Sequence, residues 1–381
     1  MLYDLHEWTE VWSVLRIFRY ITVRTFGAAG TAFVLSLIFG PLVIRRLSQW
    51  NIGQQIRGDE VMRGHRVKAG TPTMGGVLIV GCAAAATILW ARPGEPLVWC
   101  CLATMVFMGA VGAMDDVLKI RCRNSTGLRE WGKLGLQGLW ALALLWYLWQ
   151  DEANRERTQQ LFIPFLKDPV VPAMGFVFTL VFVFGVMAGS SNAVNLTDGL
   201  DGLAVGCGNA AVLAYLVMAY ATGHAVFAEY LQIPHVAGAG ELAVFCGALL
   251  GAGLGFLWFN CHPARVFMGD TGSLAIGGSI AAVALIVKQE LVLLIVGGVF
   301  VLEALSVILQ RGWFKYTRRR YGEGRRIFRC APLHHHFEQQ ELARAKAEGR
   351  TPDSIENRIV VRFWILAIIF ALLGIATLKI R

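Results

Sequence analysis

The feature that most restricts this chain is a series of long apolar runs, such as FVFTLVFVFGVMAG at 176–189 and AAVLAYLVMAYA at 210–221. A helix needs about 20 apolar residues to cross ~30 Å of hydrocarbon. Within lipid every backbone N–H and C=O must be satisfied by the protein, so only helices and closed barrels span. Barrel strands are short and alternate apolar with polar residues, whereas these runs are continuous. Composition agrees, at 56% hydrophobic and 16% charged, where a soluble domain carries about 25% charged residues. The expected fold is therefore an all-α, polytopic integral membrane protein, one transmembrane domain over 1–381.

Ten spans are predicted, at 25–46, 73–91, 96–114, 132–150, 173–190, 202–221, 241–259, 273–288, 290–310 and 359–378. Arg45, Arg46, Arg57, Arg63, Arg66 and Lys68 follow the first; Lys119, Arg121, Arg123 and Arg129 follow the third. The segment between the ninth and tenth is densely basic, with Arg318-Arg319-Arg320. The alternate loops are poor in Lys and Arg. Because basic loops stay in the cytoplasm, loops 47–72, 115–131, 191–201, 260–272 and 311–358 are expected there, with both termini outside. The net charge of +9 is then a topology and lipid-surface signal, and no nucleic-acid partner is called for. The start, MLYDLHEWTEVW, is acidic and aromatic, unlike the basic-then-apolar pattern of a cleaved leader. The eight cysteines show no metal-ligand spacing, and most sit in apolar runs as small hydrophobes.

Four polar clusters fall on the predicted cytoplasmic side: MDDVLK at 114–119, SSNAVNLTDGLDG at 190–202, NCHPARVFMGDTGS at 260–273 and PLHHHF at 332–337. Asp115 and Asp116 end an apolar helix, with Lys119 one turn on. Adjacent carboxylates repel unless a cation offsets them or one is protonated; the plainer alternative is a solvated helix end. Asp198 and Asp201, three apart among Asn192, Asn195 and two glycines, can share a helical face. Carboxylates with amide carbonyls make a hard-oxygen setting that suits Mg²⁺ over zinc. Asp270 opens a helix among glycines and hydroxyls, where free N–H groups favour phosphate. Phe267 is placed either to stack on a base or to sit in the aromatic belt.

His334-His335-His336 lies among arginines, which favours phosphate contact over zinc. Lys68, Lys133, Thr71 and Thr73 add cations and hydroxyls. A Mg²⁺ site flanked by phosphate-binding cations is what phosphoryl transfer requires. No GxxxxGK[ST] loop is present, so a P-loop ATPase is not supported.

MDDVLK, NAVNLTDGLDGLA, NCHPARVFMGDTGS and APLHHHFE, in that order, resemble the polyprenyl-phosphate N-acetylhexosamine-1-phosphate transferases. The HHHFE ending resembles the muramoyl-pentapeptide branch. The resemblance implies transfer of phospho-N-acetylmuramoyl-pentapeptide from UDP to undecaprenyl phosphate in the bacterial inner membrane, with Mg²⁺, giving lipid I and UMP. It implies Asp270 as the metal ligand and Asp115 and Asp116 as the catalytic pair. It places Asp198, Asp201, Asn192, Asn195 and Asn260 in the nucleotide cleft, Phe267 on the uracil and His334, His335 and His336 in a basic loop motif. Lys68, Thr73, Lys133 and Gln310 fall in matching surroundings, and a homodimer is allowed. The alternative is a sister transferase using UDP-N-acetylglucosamine. An ion-coupled transporter would place its ionisable groups near the midplane in symmetry-related broken helices; here the acids lie at one edge. Gly297-Gly298 interrupts the ninth span, either as a break opening a groove for an isoprenoid tail or as a packing contact.

Overall fold

The computed structural model describes residues 1–50, 70–122, 127–348 and 355–380. After two short 3₁₀ segments, the order is α1 Ile21–Gln49, α2 Gly76–Trp90, α3 Pro96–Arg121, α4 Glu130–Trp149, α5 Glu152–Gln159, α6 Gly175–Thr197 and α7 Leu203–Gly223. It continues with α8 Ala225–Leu231, α9 Leu242–Asn260, α10 Gly269–Ile286, α11 Leu293–Val296, α12 Gly298–Tyr321, α13 Leu333–Ala347 and α14 Ile355–Ala376. The one β-bridge among the described residues is isolated, Leu161 to Val171. The all-α fold is as expected. Among the described residues seven helices are long and apolar enough to cross a membrane, and α2 is a shorter apolar helix. The remaining two expected spans coincide with α4 and with the α11–α12 pair.

Helix α10 is the axis of the bundle, every residue from Thr271 to Ile286 being buried. It is apolar on all sides, as a helix enclosed by others must be. Lacking a hydrophobic drive between helices in lipid, such bundles rely on small residues for close approach. On α9, Gly247, Gly251 and Gly255 recur every four residues against α1; a methyl group there would lie 2.7 Å from Thr25 O, 2.0 Å from Ala29 O and 2.4 Å from Ser36 Cβ. Thus α1 and α9 run parallel. Gly112 of α3 similarly abuts the first turn of α10, where a methyl group would meet Asp270 O at 2.1 Å. The C-terminal ends of α3 and α6 and the N-terminal ends of α7 and α10 consequently gather at one end of the bundle. At the other end Arg24 and Glu241 form a buried bidentate ion pair, both contacts 2.5 Å.

Several boundaries differ from the sequence reading, each for a local reason. Helix α3 runs on to Arg121, putting Asp115 and Lys119 one turn apart on a continuing helix rather than in a loop. Helix α6 continues to Thr197, because Asn192 and Thr197 bond back to the carbonyls of Ala188 and Ala193. The basic segment after α12 contains a further helix, α13. Gly297 is non-helical, with φ −85° and ψ 20°, and divides α11 from α12. Its neighbour Gly298 packs flat against the Phe370 ring. The glycine pair is thus both a break and a packing contact.

Candidate active site

The centre of the polar end is the Asp270 carboxylate, in the first turn of α10. Its Oδ2 accepts from Lys133 Nζ of α4 at 2.7 Å. Its Oδ1 lies 3.2 Å from Lys119 Nζ and accepts from Asn195 Nδ2 at 2.9 Å. Four helices therefore converge on one side chain. Asp115 shares Lys119, at 2.5 Å, and its second oxygen accepts from the Leu128 N–H at 2.7 Å. Asp116 faces the other way, accepting from the N–H groups of Asp270 (3.2 Å) and Thr271 (3.0 Å) and from the Thr271 hydroxyl (2.7 Å). These donors are among those that a helix start leaves unpaired, so Asp116 caps α10 from a neighbouring helix. One oxygen each of Asp115, Asp116 and Asp270 fall within 4.8 Å of one another, the spacing a divalent cation would bridge.

Asp198 lies on the turn between α6 and α7, beside this cluster. Loss of water contact, followed by the charges of Asp270, Asp116 and Asp201, pushes its carboxyl up to about 8, against a hydrogen bond from the Gly269 N–H. Thr73 Oγ1 lies against Gly269. The Phe267 backbone is pinned to the loop before α2, its N–H donating to Pro72 O and its carbonyl accepting from the Gly75 N–H, both at 2.8 Å. Its side chain is only half-buried.

Other expected residues are held elsewhere. Asn192, one turn before Asn195, donates to Gln137 Oε1 at 3.0 Å. Asp201 does not share a face with Asp198: the turn directs it to His262 Nδ1 and the Ala264 N–H, both 3.1 Å away. Glu356 of α14 joins them, accepting from the Asp201 N–H at 2.9 Å and lying 3.4 Å from His262. Asn260 is buried and ties two loops together, accepting from the Gly202 N–H and donating to Val266 O. Gln310 accepts from the N–H groups of Ile327 and Phe328. Lys68 lies outside the described residues.

The three histidines diverge. His334 is buried, its N–H donating to Glu303 Oε1 at 3.1 Å and its Nδ1 3.2 Å from Glu303 Oε2. Burial first, then the neighbouring His335, pulls its pKa below the ordinary histidine value, although Glu303 opposes this. It is a neutral ring seated against Gly199, one residue from Asp198, and not a cation open to phosphate. His335 pairs with Glu338 at 2.9 Å, and His336 Nδ1 accepts from the Arg329 N–H at 3.1 Å. Glu303 and Glu356 were not singled out from sequence. Glu303 carried a signal, a lone carboxylate in an apolar run, which in a membrane helix marks a functional or paired position. Glu356 sits at the start of an ordinary span and carried none.

Residues 98–288 match the model of glycosyl transferase family 4. Residues 68–80 match the phospho-N-acetylmuramoyl-pentapeptide-transferase signature 1. The chain is 49% identical over 381 residues to the phospho-N-acetylmuramoyl-pentapeptide-transferase of Desulfotalea psychrophila, covering 100% of this chain and 99% of that protein. It is 46% identical over 390 residues to the protein of the same name from Koribacter versatilis, covering 99% and 97%. With relatives this similar matched from end to end, and the motif order retained around Asp270, the chain belongs to the phospho-N-acetylmuramoyl-pentapeptide transferase family.

Proposed function

We propose that this chain transfers phospho-N-acetylmuramoyl-pentapeptide from its UDP carrier to undecaprenyl phosphate. An oxygen of the lipid phosphate attacks the β-phosphorus of the UDP-sugar, the bond to the α-phosphate oxygen breaks, and UMP leaves with lipid I formed. The observation that carries this reading is the convergence of Asp270, Asp115, Lys119 and Lys133 at the end of apolar, membrane-length helices. A water-soluble nucleotide and a lipid phosphate can meet only at such an edge, here assigned to the cytoplasmic face of a bacterial inner membrane by the basic loops.

The residues fit Mg²⁺. The cluster of Asp115, Asp116 and Asp270 offers only carboxylate oxygens, which suits a hard cation. Both oxygens of Asp116 already accept bonds from α10, which leaves Asp270, with Asp115, to hold the ion. Bound there, Mg²⁺ would offset the pyrophosphate charge and align it for displacement. Lys119 and Lys133 turn from Asp270 towards phosphate oxygens. Asp115 takes the proton of the acceptor phosphate. Phe267 stacks on the uracil, Asn192, Asn195, Asp198 and Asp201 line the nucleotide side, and His335, His336 and Gln310 shape the sugar side. Asn260 and His334 act by holding these loops in register.

Incubating the purified protein with undecaprenyl phosphate and either UDP-N-acetylmuramoyl-pentapeptide or UDP-N-acetylglucosamine, then identifying the lipid by mass, tests the proposal. A lipid-linked muramoyl-pentapeptide with UMP is expected. A lipid-linked N-acetylglucosamine instead would move the chain to the sister reaction.

A further inference from the structure

Beyond the acid cluster, the segment 322–331 folds back along the end of α12. Gln310 fixes it through the N–H groups of Ile327 and Phe328, both at 3.0 Å, and Thr317 Oγ1 accepts from the Arg325 N–H at 2.9 Å. Gly324 packs on the Phe314 ring, where a methyl group would lie at 2.3 Å. The fold-back leaves a groove of about 590 Å³ lined by Arg311, Lys315, Arg326 and Arg329 over a floor that includes Val307 and Phe314. That is within the ~300–1,000 Å³ of ordinary ligand pockets. None of its lining residues is acidic, and among the described residues none of the four cations has a carboxylate partner. Cations set only for topology would lie on an open surface. Here four converge on a concavity with an apolar floor.

Resting on the transferase reading above, we propose that this groove binds the peptide of the sugar-nucleotide substrate through its free carboxylates. A peptide joined to the sugar by its amino end carries at least one terminal carboxylate, with short apolar side chains between. Planar guanidinium groups match carboxylates bidentately, and Val307 and Phe314 suit the apolar part. Placement agrees: Cys330 and Ala331 line the groove and lead into α13, whose His334 lies against Gly199 beside Asp198. The match to the general glycosyl transferase family ends at residue 288, before the groove. The relatives named for a pentapeptide substrate match through it. The groove is thus in the part of the chain that a transferase of plain sugar phosphates has no need of.

The test uses the full-length enzyme in lipid nanodiscs with undecaprenyl phosphate. KM and kcat are measured for UDP-N-acetylmuramoyl-pentapeptide and for the same compound with its peptide carboxylates amidated. Arg326→Gln and Arg329→Gln, singly and together, and Lys315→Gln separately, are compared with wild type. The double variant should raise KM for the acidic substrate about tenfold, the loss of one charge-assisted contact, with a far smaller rise for the amidated one. An equal rise on both substrates, or none, overturns the assignment. So does a KM that follows the anionic-lipid content of the disc instead of the peptide's charge, which would make the groove a lipid headgroup site. Wild-type enzyme that turns over neither substrate refutes the transferase reading, and the groove assignment with it.

Discussion

Asp116 of α3 holds Thr271 of α10 twice, taking its backbone N–H at 3.0 Å and its hydroxyl at 2.7 Å. Its neighbour Asp115 points instead at Lys119, 2.5 Å away. Two adjacent carboxylates are thereby given different work, one to seat the axial helix and one to face the reacting groups. Gly112 makes this possible, because α3 reaches the first turn of α10 only where no side chain intervenes.

Asp116→Asn should therefore cost stability as well as activity. An amide cannot accept all three bonds, and losing a helix cap costs about 0.5–2 kcal/mol. Thermal unfolding in detergent should show Asp116→Asn melting several degrees below wild type, with Asp115→Asn close to it. Equal melting temperatures for the two variants would remove the division of labour.

Asp270 is held by two lysines and an asparagine, and an alanine there frees all three. Asp270→Ala should keep its fold yet lose Mg²⁺-dependent turnover, and chelation should silence the wild type reversibly. Near-normal turnover by the variant at ordinary Mg²⁺ would remove Asp270 as metal ligand.

Phe267 has a fixed backbone and a partly open ring, the combination a stacking platform needs. Phe267→Ala should weaken binding of the UDP-substrate by ~1–3 kcal/mol, the scale of base–aromatic stacking, with Phe267→Trp milder. Calorimetry with UDP alone isolates the base contribution. Identical affinities would return the residue to the aromatic belt.

The apolar runs and basic loops made the helical membrane fold legible, since lipid admits so few alternatives. The residues of the site were legible because polar groups at a membrane edge stand out. Their pairings were not. Spacing brought Asp198 and Asp201 together on paper, but the turn at Gly202 sends one to Asp270 and the other to His262 and Glu356. His334, His335 and His336 read as one basic patch, and burial against Glu303 takes His334 out of it. Those partners come from helices a hundred or more residues apart, set by packing that no local pattern encodes.

Asp198 supplies a pH test of stability. Its carboxyl is raised from 3.8 to about 8 in the folded protein, so the native state holds the proton more tightly than the unfolded chain. The stability this lends is fully present below about pH 4, and rising pH removes it up to about 8. Asp198→Asn cannot ionise and escapes that loss. Measured without Mg²⁺ or substrate, its melting temperature relative to wild type should climb from pH 5 to pH 8 and then level off. A difference that stays flat across that range would contradict the raised carboxyl.

Asp115 is placed either to take a proton from the acceptor phosphate or to attack the β-phosphorus itself, and the two roles separate by pH. Phosphate monoesters lose their second proton near pH ~6, so a base matters most where the lipid phosphate is still protonated. With Asp115 as base, Asp115→Asn should be slowest at low pH and recover in part as pH rises, because the phosphate then ionises unaided. With Asp115 as nucleophile, the variant should stay inactive at every pH, and wild type should release UMP without lipid acceptor. The lock of Asp115 between Lys119 and the Leu128 N–H favours the base. Both its oxygens are engaged, and an attack on phosphorus would require it to leave both partners. A proton, by contrast, can be received on an oxygen that stays in place. Rapid-quench measurement of UMP in the absence of undecaprenyl phosphate decides the matter: no burst is expected, and a stoichiometric one would overturn direct transfer.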